Sequence, residues 1–85
     1  MSKVEIYTRP GCGYCSMAKR LLGSKGVAYE ETDIGREPDR KGEMVQRAKG
    51  RATFPQIFID DEHVGGFDDM AALDRSGRLD AMLGR

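Results

Sequence analysis

Hydrophobic and polar positions change their period along the chain, and each change marks an element. Residues 3–8, Lys-Val-Glu-Ile-Tyr-Thr, alternate and are rich in β-branched and aromatic types. They predict a strand with Val4 and Ile6 on one face. Arg9-Pro10-Gly11 interrupts it. Over residues 13–24 the period lengthens: Ala18, Leu21 and Leu22 recur at helical spacing, with Lys19 and Arg20 on the polar side. Gly23 and Gly26 bracket the end of this helix. Alternation returns over residues 27–32, where Val27 and Tyr29 are the apolar positions of a second strand, followed by a loop from Asp33 to Arg36. Residues 37–49 predict a second helix with Pro38 in its first turn and Met44, Val45 and Ala48 as its apolar stripe. Gly50 ends it.

Thr53-Phe54-Pro55 leads into a third strand, Gln56-Ile57-Phe58-Ile59. Asp60-Asp61-Glu62 predicts a tight turn into a short fourth strand at His63-Val64, closing a hairpin. Gly65-Gly66 breaks that strand. Asp68 or Asp69 then caps a third helix running through Leu73. Ser76-Gly77 separates a last short helix carrying Leu79, Met82 and Leu83. The order β-α-β-α-β-β-α-α implies a parallel first pair joined by a right-handed crossover, then an antiparallel hairpin. An α/β fold follows: a mixed four-stranded sheet with helices on both faces. The sequence shows no internal repeat, linker or low-complexity tract.

Composition narrows the reading. Eighty-five residues make one domain, 1–85, with a modest core. Fourteen Lys+Arg balance 14 Asp+Glu, which leaves no electrostatic footprint for nucleic acid or an anionic membrane. No apolar run approaches the roughly 18–20 residues of a membrane span. The first residues lack the long apolar stretch of a secretory signal, so the expectation is a cytoplasmic protein. Two cysteines are too few for a disulfide-stapled scaffold. A tetrahedral structural zinc site needs four ligands, and His63 is the one other soft candidate. In a reducing cytosol paired cysteines are more often catalytic than structural.

The cysteines are Cys12 and Cys15, in Cys12-Gly13-Tyr14-Cys15 at a strand-to-helix junction. This setting reads as a thioredoxin-like redox motif. At the helix start the Cys12 sulfur meets free N–H groups and the positive end of the dipole, which favours the thiolate over the unperturbed value of about 8.5. Cys15 shares the helix face of Ala18 and Leu22 and should be largely buried. An activated Cys12 therefore attacks, and a sheltered Cys15 resolves. Two unrelated buried cysteines, or half a zinc site completed by a second chain, are the alternatives.

Other positions stay open on residues alone. Arg9 either stabilises the thiolate, holds a ligand carboxylate, or is a solvated loop arginine. Tyr14 either shields the thiol, packs on a ligand, or is a partly exposed packing tyrosine. If the Phe54–Pro55 bond is cis, the Phe54 backbone faces outward and pairs with an extended peptide. Gly65-Gly66-Phe67-Asp68-Asp69 is either a plain glycine break with a capping aspartate, or a carboxylate site at a helix N-terminus with an aspartate for an ammonium. His63 reads as a strand-surface histidine, Asp60-Asp61-Glu62 as a solvated turn, and the methionines after the first as core positions.

Together these pieces resemble a known family. Val4-Glu5-Ile6-Tyr7-Thr8, Cys12-Gly13-Tyr14-Cys15, Thr53-Phe54-Pro55-Gln56-Ile57-Phe58-Ile59 and Gly65-Gly66-Phe67-Asp68-Asp69 run in the order and spacing of the glutaredoxins of the short bacterial dithiol class. The resemblance covers essentially the whole chain. It implies a thioredoxin fold, a cis Phe54–Pro55 bond, and glutathione as cofactor substrate, its cysteinyl part paired with the Phe54 backbone. Arg9 matches the basic residue for the glycine carboxylate, with Arg47 assisting from the second helix. Phe67 and Asp68 match the groups that hold the γ-glutamyl carboxylate, with Asp69 near its amine; Tyr14, Pro55 and Gly66 complete the groove. The implied activity is glutathione-dependent thiol–disulfide exchange on disulfide-containing or glutathionylated proteins by a monomer. Two positions depart from the family: Gly13 stands where proline is usual, and Phe54 where valine is usual. Glycine at that point also resembles members that hold a [2Fe-2S] cluster between two subunits through the first cysteine and glutathione, which gives an alternative role as cluster carrier or sensor. A redoxin reduced directly by thioredoxin reductase is a third reading, against which the groove residues argue.

Overall fold

A computed structural model describes residues 2–84 of the chain. Its elements are β1 (Val4–Thr8), α1 (Gly13–Ser24), β2 (Glu30–Asp33), a 3-10 turn (Pro38–Arg40) running into α2 (Lys41–Arg47), β3 (Gln56–Ile59), β4 (Glu62–Gly65), α3 (Phe67–Arg75) and α4 (Arg78–Met82). The sheet order is β2-β1-β3-β4. β1 runs parallel to β2 and antiparallel to β3, and β3 is antiparallel to β4. This is the mixed α/β sheet that the sequence pattern predicts, and the thioredoxin fold that the resemblance implies.

Strand alternation divides the core into two layers. Val4 and Ile6 lie opposite Ile59 and Ile57 and face Ala18 and Leu22 of α1, Met70 of α3, and Leu79 and Leu83. Tyr7 and Phe58 point the other way, against Ile34, Met44 and Ala48. Leu22 and Met44 are fully buried, one on each side of the sheet. Truncating either to alanine removes about 2–5 kcal/mol of packing. The hairpin turns on Asp60 and Asp61, with φ of 51° and 66°. Two successive left-handed residues match the twist of the strands they join, and aspartate tolerates that region better than most side chains. The Asp60 carboxylate also accepts the Lys3 N–H at 2.8 Å, pinning the turn to the start of β1.

Several boundaries differ from the sequence expectation. β2 begins at Glu30, not residue 27, because its ladder with β1 starts at the Glu5–Glu30 pair. Val27 and Tyr29 alternate because they pack on the α1–α3 side of the core, not because they pair with a strand. The second helix is shorter than 37–49. Glu37 precedes a proline and lies outside helical geometry (φ −129°, ψ 67°), the first turn is 3-10, and Lys49 and Gly50 at positive φ turn the chain away. The third helix runs to Arg75, and its N-cap is Gly66, not Asp68 or Asp69. Asp69 sits in the first turn, and its carboxylate reaches back to accept the Gly66 N–H at 2.9 Å. Gly65 belongs to β4 instead of ending it. Met17, expected in the core, is 46% exposed.

Candidate functional site

The site starts from the geometry of one residue. Cys12 is extended (φ −101°, ψ 107°) and forms the N-cap of α1, where its Sγ accepts the Cys15 N–H at 3.1 Å. Sulfur therefore takes the place that a serine or aspartate oxygen fills at other helix starts. A backbone donor and the helix dipole both favour negative charge there once the thiol is free. Cys15 lies one turn in, 2% exposed, while Cys12 is partly exposed. Their Cα atoms are 5.2 Å apart and the sulfurs are joined as a disulfide. The expected asymmetry of the pair is thus present in the fold. The loop before Cys12 is held from below: a Cβ on Gly35 would lie 2.5 Å from the Pro10 ring, so only glycine lets the chain after β2 pass this close.

Beside Tyr14 opens a cleft of about 150 Å³ lined by Tyr14, Thr53, Phe54, Pro55, Gly66 and Phe67, with Arg51, Asp68 and Asp69 on its polar side. Tyr14 and Phe67 stack with centroids 6.3 Å apart, forming one wall. The Phe54–Pro55 bond is cis, as the resemblance implies. Arg9 places its guanidinium 5.6 Å from the centre of the Phe54 ring. It also lines, with Cys12 and Cys15, a second, more open cavity of about 460 Å³ that reaches Lys19 and Glu31. Burial opposes the charge of Glu31, but hydrogen bonds from Thr8 (2.7 Å) and Lys19 (3.0 Å) outweigh it and hold the carboxyl below the usual range. The structure thus gathers Tyr14, Phe54, Pro55, Gly66, Phe67, Asp68 and Asp69 around one cleft and sets Arg9, Cys12 and Cys15 beside it.

Arg47 is not in that cleft. It lies over the α2 face of the sheet, where its guanidinium sits 4.1 Å from the centre of the Phe58 ring, pairs with Glu5 at 3.0 Å and reaches the Tyr7 hydroxyl at 2.9 Å. The hydrogen bond to Glu5 raises its pKa, and the same bond holds Glu5 below the usual carboxylate range. The second arginine of the cleft is Arg51, which bonds Asp69 at 3.2 Å. The Gly66 N–H, with help from Arg51, lowers the Asp69 pKa. Both aspartates are exposed, but Asp69 is engaged at the helix start, while Asp68 makes no ion pair among the described residues.

A further layer holds the cleft wall. Gln56 is fully buried, and its amide donates to the Thr53 carbonyl at 3.0 Å and hydroxyl at 3.1 Å. His63 Nε2 lies 2.7 Å from Gln56 Oε1. With the amide nitrogen committed to Thr53, the oxygen accepts, so His63 carries its proton on Nε2. The ring also packs on Phe58, with centroids 5.1 Å apart. Burial, with Arg51 and Lys49 nearby, pushes its pKa down. His63 is thus a half-buried brace, not the surface histidine the strand pattern suggests. The one sequence signal was the polar Gln56 in an otherwise apolar strand.

A mixed sheet with a helix-capping Cys-x-x-Cys disulfide and a cis-proline before its third strand defines a thiol–disulfide redox protein of the thioredoxin fold. Comparison with known proteins narrows this. A family model described as glutaredoxin matches residues 4–64. Glutaredoxin 3 of Escherichia coli strain K12 is 52% identical over 83 residues, 98% of this chain and 99% of that one. Among solved structures, glutaredoxin from Brucella melitensis is 53% identical with a TM-score of 0.81, over 95% of this chain and 87% of that one. A buckwheat glutaredoxin–glutathione complex superposes with a TM-score of 0.89 at 30% identity, covering 98% of this chain and 77% of that one. The chain belongs to the glutaredoxin family, whose members are generally thiol–disulfide oxidoreductases.

Proposed function

We propose that the protein is a glutathione-dependent thiol–disulfide oxidoreductase acting on glutathionylated and disulfide-bonded proteins in the cytoplasm, as a monomer. The observation that carries this reading is the unequal cysteine pair: a partly exposed sulfur at a helix start, a buried one a turn in, and a charged cleft alongside. The buckwheat relative in complex with glutathione supports the choice of tripeptide. Glutathione carries two carboxylates and one ammonium. In this reading Arg9 takes the glycine carboxylate, and the Phe54 backbone pairs with the cysteinyl part. The free N–H groups at the start of α3, around Phe67 and Asp68, take the γ-glutamyl carboxylate. Asp68, the cleft aspartate not already paired among the described residues, takes the ammonium, and Arg51 with Asp69 closes that end.

The reaction is exchange at sulfur. The Cys12 thiolate attacks the glutathione sulfur of a mixed disulfide; that S–S bond breaks, and the protein leaves as a thiolate that takes a proton from water. Cys12 is now disulfide-bonded to glutathione. A second glutathione thiolate attacks the glutathione sulfur of this intermediate, giving oxidised glutathione and restoring Cys12. Alternatively Cys15 attacks Cys12, releasing glutathione and forming the Cys12–Cys15 disulfide, which two glutathiones reduce. Exchange goes faster the larger the thiolate fraction of the attacking sulfur and the lower the pKa of the departing thiol, and the helix start favours the Cys12 thiolate in both roles. Cys12→Ser abolishes turnover in a glutathione-coupled mixed-disulfide assay, while Cys15→Ser keeps much of it. Equal loss in both variants rules out the route through glutathione alone.

Gly13 supports a second reading, a [2Fe-2S] carrier built from two subunits. A Cβ at Gly13 would meet nothing within 4 Å, so the surface beside Cys12 is open. Within one chain the donors do not suffice: among the described residues no group of three or more His, Cys, Asp or Glu could hold a metal. Anaerobic incubation with iron, sulfide and glutathione gives a coloured dimer in this reading, absent in Cys12→Ser. A colourless monomer counts against it.

A further inference from the structure

Away from the cysteine cleft, α1 and α3 leave an apolar trough of about 450 Å³ between them. Its floor is Met17 and Leu21 from α1 and Phe67 and Ala71 from α3. Tyr14, Met17 and Leu21 follow one another at helical spacing, and Tyr14 (57%) and Met17 (46%) are the large hydrophobic side chains left exposed among the described residues. Phe67 lines both the trough and the cleft, and its ring stacks on Tyr14. The apolar surface therefore continues from the cleft along α1. From Tyr14 to Ser24 a helix rises about 15 Å, the span of roughly four to five extended residues.

The rim has a sign. Arg20 and Arg75 stand on it, and neither makes an ion pair among the described residues. The one carboxylate on the rim, Asp74, is already held by Lys25 at 2.6 Å. An apolar floor with two guanidiniums unpaired among the described residues fits a chain segment that brings an apolar side chain flanked by acidic ones.

We propose that this trough docks the protein substrate: the segment of the oxidised partner next to its reactive cysteine, carrying a large apolar residue and neighbouring Asp or Glu. The inference rests on the oxidoreductase reading and adds the sequence class of its protein substrates. Glutathione occupies the cleft and the partner's backbone runs from Cys12 over Tyr14 and Phe67 into the trough. Small disulfides, which have no such segment, do not use it.

Two synthetic peptides test it, each with a central cysteine in mixed disulfide with glutathione. One carries Leu and Glu on both flanks, the other Ser and Lys. The glutathione disulfide of 2-mercaptoethanol serves as the small substrate. The wild-type protein is expected to turn over the apolar, acidic peptide with kcat/KM about tenfold above the other, as one buried apolar side chain and two weak charge pairs would give. The double variant R20E/R75E narrows the preference by removing its charge part and Met17→Ser narrows it by removing its apolar part, both with unchanged rate on the small substrate. Equal rates on the two peptides, or a preference undiminished in both R20E/R75E and Met17→Ser, overturns the docking proposal. So does self-association of the wild type that Met17→Ser abolishes, since a second copy then covers the trough. Failure of the small substrate in the wild type instead overturns the oxidoreductase reading beneath it.

Discussion

Gly13 is the residue at which local rules and this chain part company. It occupies the first position of α1, where the backbone N–H has no partner within the helix and proline is the favoured residue. Cys12 before it is already extended, the conformation a following proline demands, and a Cβ at Gly13 meets no neighbour within 4 Å. Gly13→Pro should therefore stabilise the oxidised protein by about 0.4–1 kcal/mol, chiefly by restricting the unfolded chain. In a chain of this size that is a rise of roughly 2–8 °C in melting temperature. A fall in the calorimetric melting temperature refutes this account of the helix start. The cost of keeping glycine is then a looser edge beside Cys12. Gly65 is a different case: its φ of 116° strains any other residue, and a side chain there would also displace the Asp69 carboxylate and its Arg51 partner.

At the scale of elements, the two arginines flanking the end of α2 have opposite duties. Arg47 ties α2 to β1 through Glu5 and covers Phe58 of β3; Arg51, past the turn at Lys49 and Gly50, reaches Asp69 at the start of α3. Arg47→Ala leaves the largely buried Glu5 carboxylate without its partner and is expected to cost about 1–3 kcal/mol of stability in urea unfolding, with KM for glutathione unchanged. Arg51→Ala should do the reverse, raising that KM several-fold with little change in stability. A shared pattern of effects defeats the division. An element is legible in the sequence to the extent that its signals are local. α1, β3 and the hairpin follow closely from the sequence because their periods and breakers are local. The pattern overextends β2 because Val27 and Tyr29 carry a burial pattern without ladder hydrogen bonds, and α2 because Pro38 reads as a helix start where the first turn is 3-10 and the chain turns away at Lys49 and Gly50.

For the molecule as a whole, charge balance hides a distribution that pH exposes. Glu5, Glu31, Glu43 and Asp69 are all held below their ordinary carboxylate values, Glu43 chiefly by Arg40 and Tyr7. The unfolded chain then takes up protons more readily than the folded one. Their contribution is complete above the unfolded carboxyl values near about 4 and is lost as pH falls through those values to the folded ones. His63 is pushed down by burial, so the unfolded state again protonates first, and its contribution declines as pH falls below about 6.5. Urea midpoints of the oxidised protein should therefore drop slightly from pH 8 to 5.5 and steeply below 4, with His63→Asn removing the shallow phase. A flat profile between pH 7 and 3 contradicts the paired carboxylates.

What the sequence determined by itself is the chemistry of the cysteine pair. Three residues of spacing at a helix start bring Cys12 Sγ to the Cys15 N–H and bury Cys15 with Ala18 and Leu22, all within local reach. The tertiary structure decided which charges surround it. Arg47 and Glu5 are 42 residues apart, and their contact across the sheet takes that arginine out of the cleft, while the chain reversal at Lys49 and Gly50 brings Arg51 in. Gln56 and His63 become a brace for Thr53 only because β3 and β4 pair. Spacing encodes helical phase and alternation, but not the side of the sheet on which a long side chain finds its partner. That is set by contacts between strands and helices distant in the chain.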